Sequence, residues 1–133
     1  MILAKTIEEK KPKEIITHEF QVEYTFDERV KESKNIREKY PDRIPIILER
    51  ALNSQTGLPD IDKHKFLVPR DITVGQFLYV IRKRIKLDSK VALFIFINNE
   101  LPVTSSLIGN IYDEKKHTDY FLYTTYSGEN TFG

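Results

Sequence analysis

In this 133-residue chain, proton transfer or metal binding would fall to His18, His64 and His117, and these are scattered without carboxylates at ligand spacing. All three are expected at the surface. The absence of cysteine removes a thiolate nucleophile, a thiolate metal site and a disulfide framework together. The sequence holds no Gly-rich phosphate loop, nucleophile elbow or paired catalytic motif. The expectation is a non-enzyme with no catalytic residue, cofactor or metal. What remains is the chemistry of contact: Arg82, Lys83, Arg84 and Lys86 crowd one cationic turn beside Phe77 and Val80. Such a turn either offsets the dipole of its own helix or meets an acidic partner.

The element that carries this turn is a helix predicted from Thr73 to Lys86. Val74, Phe77, Leu78, Ile81 and Ile85 recur at helical spacing and form the stripe a core would bury. Val80 lies off that stripe, on a neighbouring face with Thr73, Phe77 and Arg84, so the helix has more apolar surface than one core needs. Thr73-Val74-Gly75-Gln76 fits a capping box at its start.

Length bounds the rest to one domain with one main core. With 40% hydrophobic residues, the chain is neither disordered nor membrane-spanning, and its first residues are too few for a signal core. A net charge of +1 argues against a nucleic-acid partner.

Taken in order, residues 1–18 read as a charged extension without core contribution. Residues 19–40 form an N-terminal helical subdomain, with a helix from Asp27 to Lys39 whose stripe of Phe26, Val30, Ile36 and Tyr40 is thin. Residues 41–126 carry the main domain. Arg43–Arg50 reads as a strand in which Pro45 marks an edge or a lone break in the ladder. After a long connection from Ala51 to Ile61, Lys63–Val68 alternates as a strand stopped by Pro69. Val91–Ile97 is a continuous apolar run suited to the middle of a sheet. Thr104–Tyr112 supports a short helix and Asp119–Tyr126 a last strand, leaving residues 127–133 as a free tail.

Strand, strand, helix, strand, short helix, strand is the order of an α+β ubiquitin-like β-grasp with an added N-terminal helix or helices. Five stretches also carry a family resemblance: Lys39-Tyr40-Pro41-Asp42-Arg43-Ile44-Pro45, Asp62-Lys63 with Phe66-Leu67-Val68-Pro69, Thr73-Val74-Gly75-Gln76-Phe77, Ile81-Arg82-Lys83-Arg84-Ile85, and Phe121-Leu122-Tyr123 with Tyr126 to Gly133. From about residue 20 onward, the chain resembles the autophagy-related ubiquitin-like modifiers, which include GABARAP, the microtubule-associated light chain and the yeast autophagy modifier.

The resemblance implies two pockets that take an aromatic side chain and, three positions later, an aliphatic one from a short extended receptor motif. The implied aromatic pocket is Glu32, Ile36, Pro45, Lys65, Leu67 and Phe121. The implied aliphatic pocket is Phe66, Val68, Pro69, Ile72, Phe77 and Val80. Lys63, Lys65, Arg82 and Arg84 are placed to meet acidic residues flanking that motif. The resemblance further implies that Gly133 is the conjugation site. A glycine tail threads a channel where a Cβ would clash, and its carboxylate is activated and passed to the amine of phosphatidylethanolamine.

Expected partners are autophagy receptors and adaptors, activating and conjugating enzymes, a processing and delipidating cysteine protease, and the phosphatidylethanolamine membrane; nucleic acid is not among them. The expected location is cytoplasmic, then autophagosomal and vacuolar or lysosomal membranes after lipidation. The alternative is an unconjugated adaptor that uses the same pockets in vesicle traffic or at microtubules. The chain departs from the family at Tyr24-Thr25-Phe26, where proline commonly precedes the phenylalanine, and at Val103, where a second proline is usual after Pro102. The connection from Ala51 to Asp62 is also slightly longer than in GABARAP.

Overall fold

The computed structural model describes residues 14–52 and 57–129. Its elements are α1 (Glu19–Glu23), α2 (Phe26–Lys39), β1 (Arg43–Arg50), β2 (Lys65–Pro69), α3 (Val74–Arg84), β3 (Phe94–Ile97), α4 (Ile108–Lys115) and β4 (Leu122–Ser127). The four strands form one sheet in the order β2-β1-β4-β3. β1 and β4 run parallel at its centre, and β2 and β3 flank them antiparallel. This is the α+β β-grasp arrangement.

Alternation along β1 divides the apolar residues between two cores. Ile44, Ile46 and Leu48 face α3 and join Phe66, Val68, Val74, Phe77 and Ile81 in the larger core. Ile47 points to the other face, where Phe20, Phe121, Tyr123 and the half-buried Ile36 make a smaller one beneath α1 and α2. Burying each such side chain contributes about 1.5–3 kcal/mol, so the sheet is stabilised from both faces.

The caps follow the sequence. Thr73 Oγ1 accepts the Gln76 amide at 3.1 Å and Gln76 Oε1 accepts the Thr73 amide at 2.8 Å. Thr25 and Glu28 close the same box on α2. α1 is different: the Glu49 carboxylate accepts the Glu19 and Phe20 amides at 2.9 and 3.1 Å, so a strand residue caps this helix from across the fold.

Several expectations are corrected. The Val91–Ile97 run gives a strand only from Phe94, and that strand lies at the sheet edge, with β1 and β4 holding the middle. The last helix begins at Ile108 rather than Thr104, because residues 104–107 are used in backbone bonds to residues 73–75. Within the expected extension, His18 is buried; its Nε2 lies 2.7 Å from the Thr124 carbonyl and its Nδ1 2.8 Å from Thr17 Oγ1. It is not a surface histidine. At the other end, Ser127 is buried and paired opposite Phe94, so β4 runs into the expected tail. Residues 1–13 of the extension and residues 130–133, Gly133 among them, lie outside the described residues.

Candidate functional site

The site is organised by the free side of β2. The Leu48 amide donates to the His64 carbonyl at 2.8 Å, and the Arg70 amide to the Asp42 carbonyl at 3.2 Å. The register pairs Ile44 with Val68 and Ile46 with Phe66, so even-numbered residues of β2 bond to β1. Lys65 and Leu67 therefore turn their amides and carbonyls outward, with no strand beyond them in the sheet among the described residues. The outward Leu67 carbonyl is met by Arg43 Nη1 at 3.5 Å. Pro45 stands opposite Leu67, in a pair that needs no amide from it, and β4 begins to pair only at Ile46. Pro45 thus breaks no ladder bond; it stands on the outer end of β1, where the β4 side is still an edge.

The same alternation sends side chains to opposite faces. Lys65 and Leu67 join Pro45, Ile36 and Phe121 on the side covered by α1 and α2. Lys65 Nζ forms an ion pair with Glu32 Oε1, which ties α2 to the rim. Phe121 is wholly buried and meets the Phe20 ring edge-on at 5.1 Å, while Lys65 Nζ lies 5.9 Å over Phe20. Phe121 is thus a floor, with Glu32, Ile36, Lys65 and Leu67 half-exposed around it. Phe20 packs among these residues and is absent from the sequence-derived set. α1 is too short to show a helical period; the clue was an aromatic residue ahead of a thinly apolar helix.

On the other face, Phe66 and Val68 turn toward α3, and the Phe66 and Phe77 rings meet edge-on at 5.6 Å. Phe77 has no exposed surface and is also a floor, whereas Val80 is 44% exposed and Ile72 is half-buried. Pro69 alternates onto the Leu67 side and ends the strand, so it bounds this opening at its terminus. Ile72 is pinned by α4: its carbonyl accepts the Ile108 amide at 2.9 Å.

The four expected flanking cations separate. Lys63 Nζ stacks 5.2 Å over Phe66 and Lys65 bonds Glu32, so both stand at β2. Arg84 pairs with Asp62 at 2.9 Å. Arg82 donates to the Asp88 and Val91 carbonyls at 2.9 and 2.7 Å and braces the turn after α3.

Away from this edge, Arg29 is buried in α2. It reaches Asp119 at 2.6 Å and Glu14 at 2.7 Å, with His117 beside both carboxylates. The carboxylate and imidazole atoms of Glu14, His117 and Asp119 lie within 4.8 Å of one another, a proximity their sequence positions did not show. The guanidinium among them makes the group an ion-pair network: its hydrogen bond holds the Glu14 carboxyl below the ordinary carboxylate range. Burial, and then the bond to Asp119, push the Tyr123 phenol far up.

Two concave regions lie elsewhere. One is lined by Glu19, Glu49, Leu58 and His64, the other by Ile16, His18, Leu52 and Phe96. Neither is lined by the residues on the two faces of β2.

Over residues 28–133 the sequence matches the family model described as "Autophagy protein Atg8 ubiquitin like". It is 59% identical over 114 residues to Autophagy-related protein 8c of Arabidopsis thaliana, covering 86% of this chain and 94% of that protein. To Autophagy-related protein 8 of Mycosarcoma maydis it is 57% identical over 114 residues, covering 86% and 95%. The fold matches the crystal structure of Trypanosoma brucei ATG8 with a TM-score of 0.80 and 42% identity, covering 89% of this chain and 100% of that one.

Proposed function

This chain belongs to the Atg8 family of autophagy-related ubiquitin-like modifiers, and from that premise we propose that it is conjugated through Gly133 to phosphatidylethanolamine and recruits receptors bearing an aromatic-x-x-aliphatic motif. The observation that carries the receptor half is the outward-facing edge of β2 with an apolar opening on each face. An extended peptide added to that edge alternates its side chains, so residues three apart point to opposite faces. The aromatic side chain enters over Phe121, between α2 and β2. The aliphatic side chain, three residues on, enters over Phe66 and Phe77, between β2 and α3. A spacing of two or four would place both anchors on one face and leave the other opening empty.

The aromatic pocket of this reading is Glu32, Ile36, Pro45, Lys65, Leu67 and Phe121, with Phe20 added. The aliphatic pocket is Phe66, Val68, Pro69, Ile72, Phe77 and Val80. Among the described residues, no helix is long and apolar enough to cross a membrane. Attachment to an autophagosomal membrane then rests on the lipid: its two acyl chains supply the stable anchoring that one chain does not. The partners in this reading are the activating and conjugating enzymes, a delipidating cysteine protease, and the receptors.

Reconstitution with activating and conjugating enzymes, ATP and liposomes containing phosphatidylethanolamine tests the conjugation half. A lipidated species is expected from the wild type, a strongly reduced yield from Gly133→Ala and none when Gly133 is deleted. A wild-type chain that stays unconjugated where a relative is lipidated would leave the adaptor reading in its place.

A further inference from the structure

We infer that Arg70 is a carboxylate receptor at the end of the β2 edge, which makes peptide binding selective for Asp or Glu two residues after the aliphatic anchor. This rests on the reading of β2 as a peptide-binding edge and adds a specificity determinant to it.

The position follows from parity. The aromatic opening is lined by Lys65 and Leu67 and the aliphatic one by Val68 and Ile72, so the peptide runs in the direction of β2. Two residues past the aliphatic anchor, its next side chain on the α3 face has advanced about 6.5 Å. β2 makes the same step from Val68 to Arg70, whose amide still pairs with Asp42. The peptide backbone has lost its support at that point. Pro69 has no amide to offer, and its carbonyl is turned to the Ile72 amide at 3.5 Å. Beyond Leu67, side chains must hold the peptide.

Arg70 is prepared for this by α4. Its stem crosses Gly109, where a Cβ would stand 2.8 Å from Arg70 Cβ and 3.0 Å from Nε, so the missing side chain makes the path. Nη2 donates to the Gly109 carbonyl at 3.2 Å and to Asp113 Oδ2 at 2.6 Å. The guanidinium thus already holds a carboxylate, with side-chain exposures of 39% and 59% for Arg70 and Asp113. Such an exposed pair is worth little net, so an incoming carboxylate that adds to an anchored peptide exchanges for Asp113 at small cost. Asp113 acts as an internal competitor that occupies Arg70 until the peptide arrives.

The test is calorimetric titration of the full chain with two peptides that share an aromatic-x-x-aliphatic core and differ only in Glu or Gln two residues after the aliphatic anchor. The wild type should prefer Glu by about three- to tenfold at low salt, as charge-assisted bonds of this kind allow. Arg70→Gln, which keeps most of the stem over Gly109, should bind both peptides alike, and Asp113→Asn should widen the preference. Denaturation midpoints of both variants near the wild-type value confirm that the fold is kept; if Arg70→Gln is destabilised, Arg70→Lys, which keeps the charge without the fork, carries the comparison and should lower the preference. Equal binding of both peptides by the wild type, or a preference unchanged by every Arg70 substitution, overturns the inference while leaving the β2 edge in place. If neither peptide binds at all, the edge reading falls and takes Arg70 with it.

Discussion

Arg29 and Asp119 lie 90 residues apart in sequence and meet at 2.6 Å, with side-chain exposures of 2% and 0%. The pair fastens α2 to the segment before β4. Its remaining valences are filled: Tyr123 donates its hydroxyl to Asp119, the Phe121 amide donates to Asp119 Oδ1 at 2.9 Å, and Arg29 Nε donates to the Tyr24 carbonyl at 3.1 Å. Ser33 adds a bond to the Asp119 carbonyl at 2.6 Å. Because both charges are out of water, the network tolerates loss of both partners better than loss of one.

Arg29→Met should therefore destabilise the protein by about 3–5 kcal/mol, since it leaves Asp119 buried and uncompensated. Adding Asp119→Leu should recover part of that loss. Urea denaturation of the single and double variants measures the coupling, and simple additivity would show that the two residues do not act as a pair.

His18 gives the fold a pH dependence whose direction is fixed by burial. Burial holds its folded pKa below the ordinary 6.5, against the opposing effect of its bond to Thr124. The folded protein keeps the ring neutral while the unfolded chain takes up a proton near 6.5. The contribution is complete above that pH and is lost as pH falls through 6.5 toward the lower folded value. Denaturant midpoints at pH 7.5 and pH 5.5 should fall more in the wild type than in His18→Gln. Equal falls would assign the pH dependence to other groups.

Glu14 acts in a lower window. Its hydrogen bond to Arg29 lowers its folded pKa below the ordinary 4.5, so its stabilisation is complete above that value and is lost as pH falls from there through the lower folded value. Glu14→Gln should cost more stability at neutral pH than at pH 3, read from thermal midpoints at both.

Val80 and Ile81 are adjacent and should behave in opposite ways. Ile81 has no exposed surface, and Ile81→Ala should cost about 2–5 kcal/mol through the cavity it leaves. Val80 is 44% exposed; Val80→Ala should leave the denaturation midpoint nearly unchanged and weaken binding of an aromatic-x-x-aliphatic peptide. Phe77→Ala should harm both properties, because the ring that floors the pocket is also in the core.

Gly109→Ala sets two effects against each other. Alanine in a helix is favoured over glycine by about 0.5–1 kcal/mol. The new Cβ, however, would stand 2.8 Å from Arg70 Cβ and 2.9 Å from the Arg70 carbonyl oxygen. Overpacking of that kind costs about 1–3 kcal/mol, so the variant should be less stable than the wild type by calorimetry.

The wheel of α3 was legible because amphipathic periodicity reports burial directly: Val74, Ile81 and Ile85 are buried and Val80 is not. Order within the sheet was less so. Phe96 and Ile97 are as buried as a central strand would be, yet β3 is at the edge, because hydropathy records what covers a strand and not which strands lie beside it. Arg29 was hidden for a related reason: a charge on a thinly apolar helix reads as solvent-facing until a partner 90 residues away is brought to it. Phe20 was missed because α1 has five residues, too few to display a period. The residues of both openings could be named from family resemblance, but the pairing register is what separates floor from rim.

The central strand pair is made from the first strand and the last, with Ile46 beside Leu122. During synthesis, β1 leaves the ribosome with the edge that pairs with β4 still open, and it waits for that neighbour. At ordinary translation speeds of roughly 5–20 residues per second, the intervening 76 or so residues take on the order of 4–15 s. The groove along β2 leans on that pair, so no nascent chain can present it before its final strand is free.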